Sequence, residues 1–216
     1  MSLAFAMDDG RTARPASLLA DVISRQGAPA RFAANEELYA QDDQVELLFL
    51  VQRGVVRTTR LTLEGRRQVG GFYYPGDILG LETGPLHRFG AEALSEAELC
   101  VARRASVRAF AGDTELDRAV LDATRLELER AQSHMLMLGL KNARGKVGAF
   151  LLSMAGAGGP MFELAMSRQD MADYLGLTIE TVSRTLSQLQ NEALVEFPSA
   201  RLFRLPRRDA LEAFAA

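Results

Sequence analysis

Residues 166–191 read MSRQDMADYLGLTIETVSRTLSQLQN, and this stretch decides the fold of the C-terminal part of the chain. Ser167 and Thr178 are residue types that cap helices, and Gly176 between them can take the left-handed conformation that ends one. The pattern therefore predicts two helices joined by a tight turn, with residues 169–175 as the body of the first. The apolar residues at helical spacing are expected to be buried: Met171, Leu175, Leu177, Val182, Leu186 and Leu189.

The outward-facing side chains of the second helix are suited to contacts with DNA bases. Ile179, Glu180, Ser183 and Arg184 lie near its N-terminus, which is the end that a recognition helix presents to base edges. Arginine donates to guanine, glutamate accepts from the cytosine amino group, and serine suits either role. The candidate base-reading residues are therefore Glu180, Ser183 and Arg184. The alternative is an ordinary two-helix corner with a solvated polar face, because generic helix-turn-helix patterns are weak.

Polar residues around both helices are candidates for contacts with phosphates, which position a protein on DNA without specifying sequence. These candidates are Ser167, Arg168, Gln169, Thr178, Thr181 and Arg201. For the two threonines, helix capping and packing remain an open alternative. Residues 193–197 and 202–205 are short apolar runs separated by Pro198-Ser199-Ala200-Arg201, which predicts a small hairpin, or wing, after the second helix.

This part of the chain closely resembles the winged helix of the CRP/FNR superfamily of bacterial transcription regulators. Residues 180–184, Glu-Thr-Val-Ser-Arg, match the E-[ST]-[VI]-[SC]-R pattern of its FNR/FixK branch. Ile179 stands where cyclic-AMP receptor proteins typically carry arginine. The resemblance covers nearly the whole chain and implies an α+β fold with an N-terminal β-roll of the cyclic-nucleotide-binding jelly-roll type, a long dimerisation helix and a C-terminal winged helix-turn-helix. It also implies a homodimer that binds a TTGAT-like palindrome, interacts with RNA polymerase and activates transcription, and that is not an enzyme.

Composition sets broader limits. The 216 residues are 48% hydrophobic and carry a net charge of −3, so no global basic charge indicates nucleic-acid binding. Residues 141–216 carry 9 Lys and Arg against 8 Asp and Glu, so phosphate attraction must come from local placement. Lys141, Arg144 and Lys146 join Arg168 and Arg201 as candidate cations. The single cysteine, the lack of a recognisable signal peptide and the lack of a long apolar run predict a cytoplasmic protein without a membrane span.

The N-terminal half changes from helical to strand patterning. Residues 1–14 are expected to form a mobile tail and residues 15–26 a helix with Leu18, Leu19, Val22 and Ile23 inward. Short apolar runs at 46–52, 54–63, 68–74 and 98–103, separated by turn residues, then predict a β-sandwich or jelly roll. The expected domains are a helix and β-roll at 1–112, a dimerisation helix at 113–140 and a winged helix-turn-helix at 141–216, which begins with a helix at 142–155 and a loop at 156–160.

Residues 113–140 are predicted to form one long helix. Apolar and small residues spaced by alternating threes and fours form a coiled-coil-like seam: Leu121, Thr124, Leu128, Ala131, Met135 and Leu138. An amphipathic helix packed on its own roll is the alternative, because the pattern spans under three heptads. A second apolar stripe of Leu126, Leu136, Met137 and Leu140 favours a helix that faces the roll on one side and a partner on the other.

The roll is expected to hold no cofactor. The family's cyclic-nucleotide site needs a glutamate for the ribose and an Arg-[Ser/Thr]-Ala for the phosphate, whereas this chain has Leu81 and Arg88-Phe89-Gly90 there. An iron–sulfur cluster needs several thiolates, and Cys100 is the only cysteine and is expected to be a buried core residue. Haem ligation through His87 or His134, with Met135 or Met137 close to the latter, stays open as an alternative.

Two other classes of protein remain possible. Jelly-roll barrels also form cupin metalloenzymes, but those need two or three histidines and a carboxylate at one metal, and this chain has two histidines in all. A protein-interaction module is the second alternative, and it predicts no preference among DNA sequences. The motif at 180–184 favours the transcription regulator.

Overall fold

The structure is a computed structural model that describes residues 18–82, 84–111, 113–155, 161–199 and 201–215. These residues form two compact units that divide within the long helix, after Leu128. No helix of this described part is long and apolar enough to cross a bilayer. In chain order the elements are α1 (Leu18–Gln26), β1 (Ala28–Phe32), β2 (Glu37–Tyr39), β3 (Leu47–Arg53), β4 (Val56–Leu61), β5 (Arg67–Tyr73), β6 (Ile78–Leu79), β7 (Gly90–Ala93), β8 (Ala97–Arg103), α2 (Arg104–Ala111), α3 (Asp113–Leu140), α4 (Ala143–Ala155), β9 (Met161–Glu163), α5 (Arg168–Leu175), α6 (Ile179–Asn191), β10 (Leu202–Arg204) and α7 (Arg208–Ala215).

The N-terminal unit is a β-roll made of two four-stranded antiparallel sheets. Their strand orders are β1-β8-β3-β6 and β2-β7-β4-β5. The four strands predicted from the sequence are confirmed as β3, β4, β5 and β8, with ends that differ by at most two residues. Both sheets contribute side chains to a shared core: Tyr39, Phe49, Val51, Val56, Leu79, Ala91, Ala93, Ala97 and Leu99.

Strand β3 is buried on both faces because helices cover its outer side. Phe49 and Val51 point into the core between the sheets, whereas Leu48 and Leu50 pack with α1, β8 and α2. Of the residues predicted to face inward on α1, Leu19, Val22 and Ile23 are buried. The prediction is wrong for Leu18, which is 47% exposed because the first residue of the helix lies at the edge of this core.

The predicted helix at 113–140 is confirmed as α3, which has 28 residues. Its predicted seam is largely open in the single chain, with Leu121, Leu128 and Met135 exposed by 68%, 56% and 63%. The second stripe was predicted wrongly: only Met137 is buried, and Leu126, Leu136 and Leu140 are exposed. The α3 residues that pack against the roll are smaller: Ala119, Val120 and Ala123.

The C-terminal unit surrounds α4, which packs against α6 and α7. The prediction of a helix at 142–155 is confirmed, and Asn142 accepts the Gly145 N–H at 2.9 Å at its start. The wing is only partly as predicted. Residues 196 and 204 form a single antiparallel bridge, and the main partner of β10 is β9, which precedes the two helices in sequence. The predicted tail at 1–14 and loop at 156–160 lie outside the described residues.

Candidate nucleic-acid interface

The first helix of the predicted pair, α5, begins with a reciprocal cap. Ser167 Oγ accepts the Asp170 backbone N–H at 3.1 Å, and Asp170 Oδ2 accepts the Ser167 backbone N–H at 2.9 Å. The predicted cap at Ser167 is therefore confirmed. Asp170 was not predicted, although Ser-x-x-Asp is a recognised capping pattern. Asp170 is buried at 2% exposure, so its carboxylate needs hydrogen-bond donors such as these within the protein.

We expect Ser167→Ala to lower the free energy of unfolding of the C-terminal unit by about 1–2 kcal/mol. The change removes the cap and leaves a buried carboxylate with fewer donors. Urea denaturation followed by circular dichroism measures the effect, with Ser187→Ala as the control. Ser187 lies inside α6, where its hydroxyl bonds to the Ser183 carbonyl, and alanine is well tolerated there. Equal destabilisation by both changes would contradict the capping role.

The turn between the helices has the predicted geometry. Gly176 has φ 62° and ψ 41°, and both its N–H and that of Leu177 bond to the Ala172 carbonyl. Thr178 caps α6, because its Oγ1 accepts the Thr181 N–H at 3.2 Å. Five of the six residues predicted to be buried are so, and Leu177 is half-buried. A left-handed glycine followed directly by a capped helix fixes where α6 begins.

The candidate base-reading residues share the outer face of α6. Glu180 and Arg184 are exposed and Ser183 is half-buried, while Val182, Thr185, Leu186 and Leu189 are buried on the opposite side. The pKa of Glu180 is lowered, first by a hydrogen bond from its own backbone N–H and then by the Thr178 side chain. The carboxylate is therefore ionised at neutral pH and can accept a hydrogen bond from a base.

The candidate phosphate contacts differ in how far their polar groups are already engaged. Ser167 and Thr178 cap helices, and Thr181 is half-buried with its hydroxyl 3.1 Å from that of Thr178. Gln169 donates to Asp173 at 2.7 Å. The cations Arg168 and Arg201 are exposed, and the Arg168 guanidinium lies 6.0 Å from the Phe197 ring centroid.

Two further basic residues that the sequence offered as candidate cations form bonds within the protein. Arg144 pairs with Glu192 at the end of α6, and Lys146 Nζ donates to the Leu175 carbonyl at 3.3 Å. Both interactions join α4 to the helix pair, which favours a structural role over a phosphate contact.

Side chains in the segment that corresponds to the family's nucleotide site pack against other parts of the roll. Phe89 packs against β4 and β5, since a Cβ on Gly70 would lie 2.8 Å from the Phe89 ring and 3.0 Å from Thr58 Oγ1. Leu81 is half-buried against the core beneath α1. Across the same unit, the Tyr73 hydroxyl donates to Glu127 Oε1 of α3 at 2.7 Å. Strand β5 is thus joined to α3 by a hydrogen bond within the chain.

Both histidines have aromatic and polar partners. His87 is 2% exposed, stacks on Tyr39 at 3.7 Å and places Nδ1 3.0 Å from Glu82 Oε1. Burial raises the pKa of Tyr39, and the charges of Glu82 and Glu127 add to the shift. His134 stacks on Tyr174 at 3.9 Å, and its Nε2 lies 2.8 Å from the Tyr174 carbonyl oxygen.

The single cysteine is a core residue, as predicted. Cys100 is 3% exposed, and its Sγ donates to the Ile23 carbonyl at 3.3 Å. Burial raises the pKa of this thiol, which disfavours the reactive thiolate.

Comparison with known proteins identifies the class to which this roll and helix pair belong. A family model described as a cyclic nucleotide-binding domain matches residues 29–113, and one described as a Crp-like helix-turn-helix domain matches residues 145–214. The nitrogen fixation regulation protein FixK of Azorhizobium caulinodans is 46% identical over 93% of this chain and 82% of its own length. The transcriptional activatory protein AadR of Rhodopseudomonas palustris is 35% identical over 85% of this chain and 80% of its own.

A solved structure agrees with these matches. The structure of FixK2 from Bradyrhizobium japonicum superposes with a TM-score of 0.83 and 41% identity, over 88% of this chain and 98% of that one. The fold is therefore that of a regulator with a nucleotide-binding-type roll, a long helix and a DNA-binding helix-turn-helix. The chain belongs to the CRP/FNR family of transcription regulators and is FixK-like. By their descriptions these relatives are a regulator of nitrogen fixation and a transcriptional activator, which favours the transcription regulator over the metalloenzyme alternative.

Proposed function

We propose that this regulator acts as a homodimer on a TTGAT-like palindrome and activates transcription without a bound effector. The observation that carries the proposal is that the chain has two exposed surfaces of different chemistry. One is the exposed hydrogen-bonding face of α6, and the other is the exposed apolar stripe of α3. Two-fold symmetry then places two recognition helices one helical turn of DNA apart, roughly 34 Å.

The apolar stripe of α3 supports dimerisation because monomers seldom leave such a stripe in water. The proposed seam has large apolar residues seven apart at 121, 128 and 135, and these are more than half exposed in the single chain. Thr124 and Ala131 lie between them and are small enough for close helix contact, and Leu138 follows Met135. Two copies packed along this seam cover both stripes.

The face of α6 supports recognition of a half-site. The ionised Glu180 accepts from a cytosine amino group, and Arg184 donates to the paired guanine, so together they specify the central C·G pair of TTGAT. Ser183 lies between them in sequence and contacts a neighbouring thymine. The six backbone candidates supply contacts to phosphates on either side, with Arg168 and Arg201 as the exposed cations among them.

The residues at the positions of the family's nucleotide site support regulation without a small molecule. Leu81 stands where the family has the ribose-binding glutamate, and Phe89-Gly90 follows Arg88 in place of a small hydroxyl residue and alanine. Phe89 packs against Gly70. The alternative of a haem- or nucleotide-responsive regulator predicts that the isolated dimer does not bind its site. We further propose that the dimer contacts RNA polymerase at promoters of low-oxygen or nitrogen-oxide metabolism, which rests on the family alone.

We expect the purified protein to bind a TTGAT palindrome equally with and without cAMP, haem, nitric oxide or oxidant. A fluorescence anisotropy assay at fixed salt measures this, with a scrambled duplex as the control. Binding that requires cAMP or haem would contradict effector-free control. An oxidation effect that Cys100→Ser abolishes would show instead that the core thiol is a switch. Equal binding to the scrambled duplex would contradict the TTGAT assignment.

A further inference from the structure

The last turns of α3 lie against the end of the first DNA-binding helix. His134 stacks on the Tyr174 ring with the two planes 7° apart, and its Nε2 is 2.8 Å from the Tyr174 carbonyl oxygen. Four residues later on α3, Leu138 lies beside the turn, since a Cβ on Gly176 would be 3.8 Å from Leu138 Cδ2. Residues four apart share one face of a helix, so a single face of α3 contacts both α5 and the turn after it.

His134 contacts a carbonyl in the last turn of α5, where backbone carbonyls accept hydrogen bonds from groups outside the regular helix. The Ala172 carbonyl accepts from Gly176 and Leu177, and the Leu175 carbonyl accepts from Lys146 of α4. The Tyr174 carbonyl is satisfied by His134. Donors are favoured at a helix C-terminus because the carbonyls there carry the negative end of the helix dipole.

We infer that His134 is a positioning residue for DNA recognition, because it fixes the C-terminus of α5 and the turn at Gly176 from which α6 begins. The inference rests on the proposed dimer and its target site. Met135 of the proposed seam is the next residue along α3, so His134 links the helix that forms the proposed dimer seam to α5, the helix that precedes the recognition helix. Without this hydrogen bond, α5 and the turn sample more orientations, and DNA must select the competent one.

The state of the imidazole fits this role. Burial lowers the pKa of His134, and the charge of Lys146 adds to the lowering, while the hydrogen bond to Tyr174 opposes it. The ring is therefore neutral at neutral pH and carries one N–H. A carbonyl oxygen only accepts, so that proton resides on Nε2.

Three substitutions separate the hydrogen bond from packing. His134→Phe keeps a flat ring against Tyr174 but cannot donate, His134→Ala removes both interactions, and His134→Gln keeps a donor at similar reach. We expect the first two to bind the TTGAT palindrome about three- to tenfold more weakly and His134→Gln to stay within about twofold of wild type. Gln132→Ala, which removes an exposed side chain from the same helix, is the matched control.

A second readout does not need DNA. Amide hydrogen exchange at Gly176 and Leu177 in the free dimer should accelerate in His134→Phe and His134→Ala but not in His134→Gln. All variants should sediment like wild type. Wild-type exchange and affinity in His134→Phe would overturn the inference, as would equal losses in His134→Gln and His134→Ala. If the wild type failed to bind the palindrome, the proposed target would be wrong, while the exchange measurement would still test His134.

Discussion

The double substitution Leu128→Glu with Met135→Glu is expected to convert the dimer to monomers and to weaken specific DNA binding by at least about a hundredfold. Both side chains are more than half exposed in the single chain and lie seven residues apart on the proposed seam. In a two-fold dimer each glutamate meets the same region of the other copy, so four negative charges enter an apolar contact. Each monomer then binds only one half-site, and the gain in affinity from contacting both half-sites at once is lost.

The matched control is Leu126→Glu with Leu140→Glu. These leucines are also exposed, at 41% and 80%, but lie on the opposite side of α3 from the seam. Sedimentation velocity at micromolar concentration should give a monomer for the seam variant and a dimer for the control. A dimer in both cases would show that the copies associate through another surface. A monomer in both cases would mean that added charge, rather than its position, disrupts the dimer.

The parts of the fold that follow from local chemistry could be predicted from the sequence. Ser167, Gly176 and Thr178 act on backbone groups within a few residues of themselves. Their roles in helix capping and turn formation can therefore be predicted from the neighbouring sequence. The four strands found in advance are bounded by turn residues. The short strand β9 was missed because three residues give no alternation, and its partner β10 lies some 40 residues further along.

The faces of α3 show where hydropathy alone is insufficient. Its contacts within the chain include Val120, Glu127 and His134, which recur every seven residues along one face. Two of the three are polar, so an apolar pattern assigns this face to solvent. Their partners, Tyr73 for Glu127 and Tyr174 for His134, are distant in sequence. Leu126, Leu136 and Leu140 were expected to make contacts as the second apolar stripe of α3, but smaller and polar residues make the contacts of this helix within the chain.

The base-reading assignment rested on a family motif and on helix periodicity. The structure places Glu180 and Arg184 on the exposed side of α6, four residues apart, as that periodicity requires. Which base each side chain contacts depends on the geometry of bound DNA, so this assignment stays a prediction and needs its own measurement.

Removing Arg184 is expected to weaken binding to the TTGAT palindrome by about 1–3 kcal/mol, roughly 5- to 150-fold, while hardly changing binding to random DNA. The reason is that the guanidinium is expected to make two hydrogen bonds to the guanine of the central C·G pair, and no other base offers the same pair of acceptors. Arg184→Ala tests this by anisotropy on the palindrome, on a duplex with both C·G pairs changed to T·A, and on a scrambled duplex. The variant should lose most of the preference for the first duplex over the second.

Arg168→Ala is the matched control, because Arg168 is an exposed arginine of the same helix pair that is proposed to contact phosphate. It should weaken binding to all three duplexes alike and reduce the slope of log affinity against log salt by about one. Arg184→Ala should instead leave the salt dependence on the scrambled duplex near that of the wild type. If Arg184→Ala weakened all three duplexes equally and reduced that slope, Arg184 would be a phosphate contact, and the C·G pair would have to be specified by Glu180 and Ser183 without it.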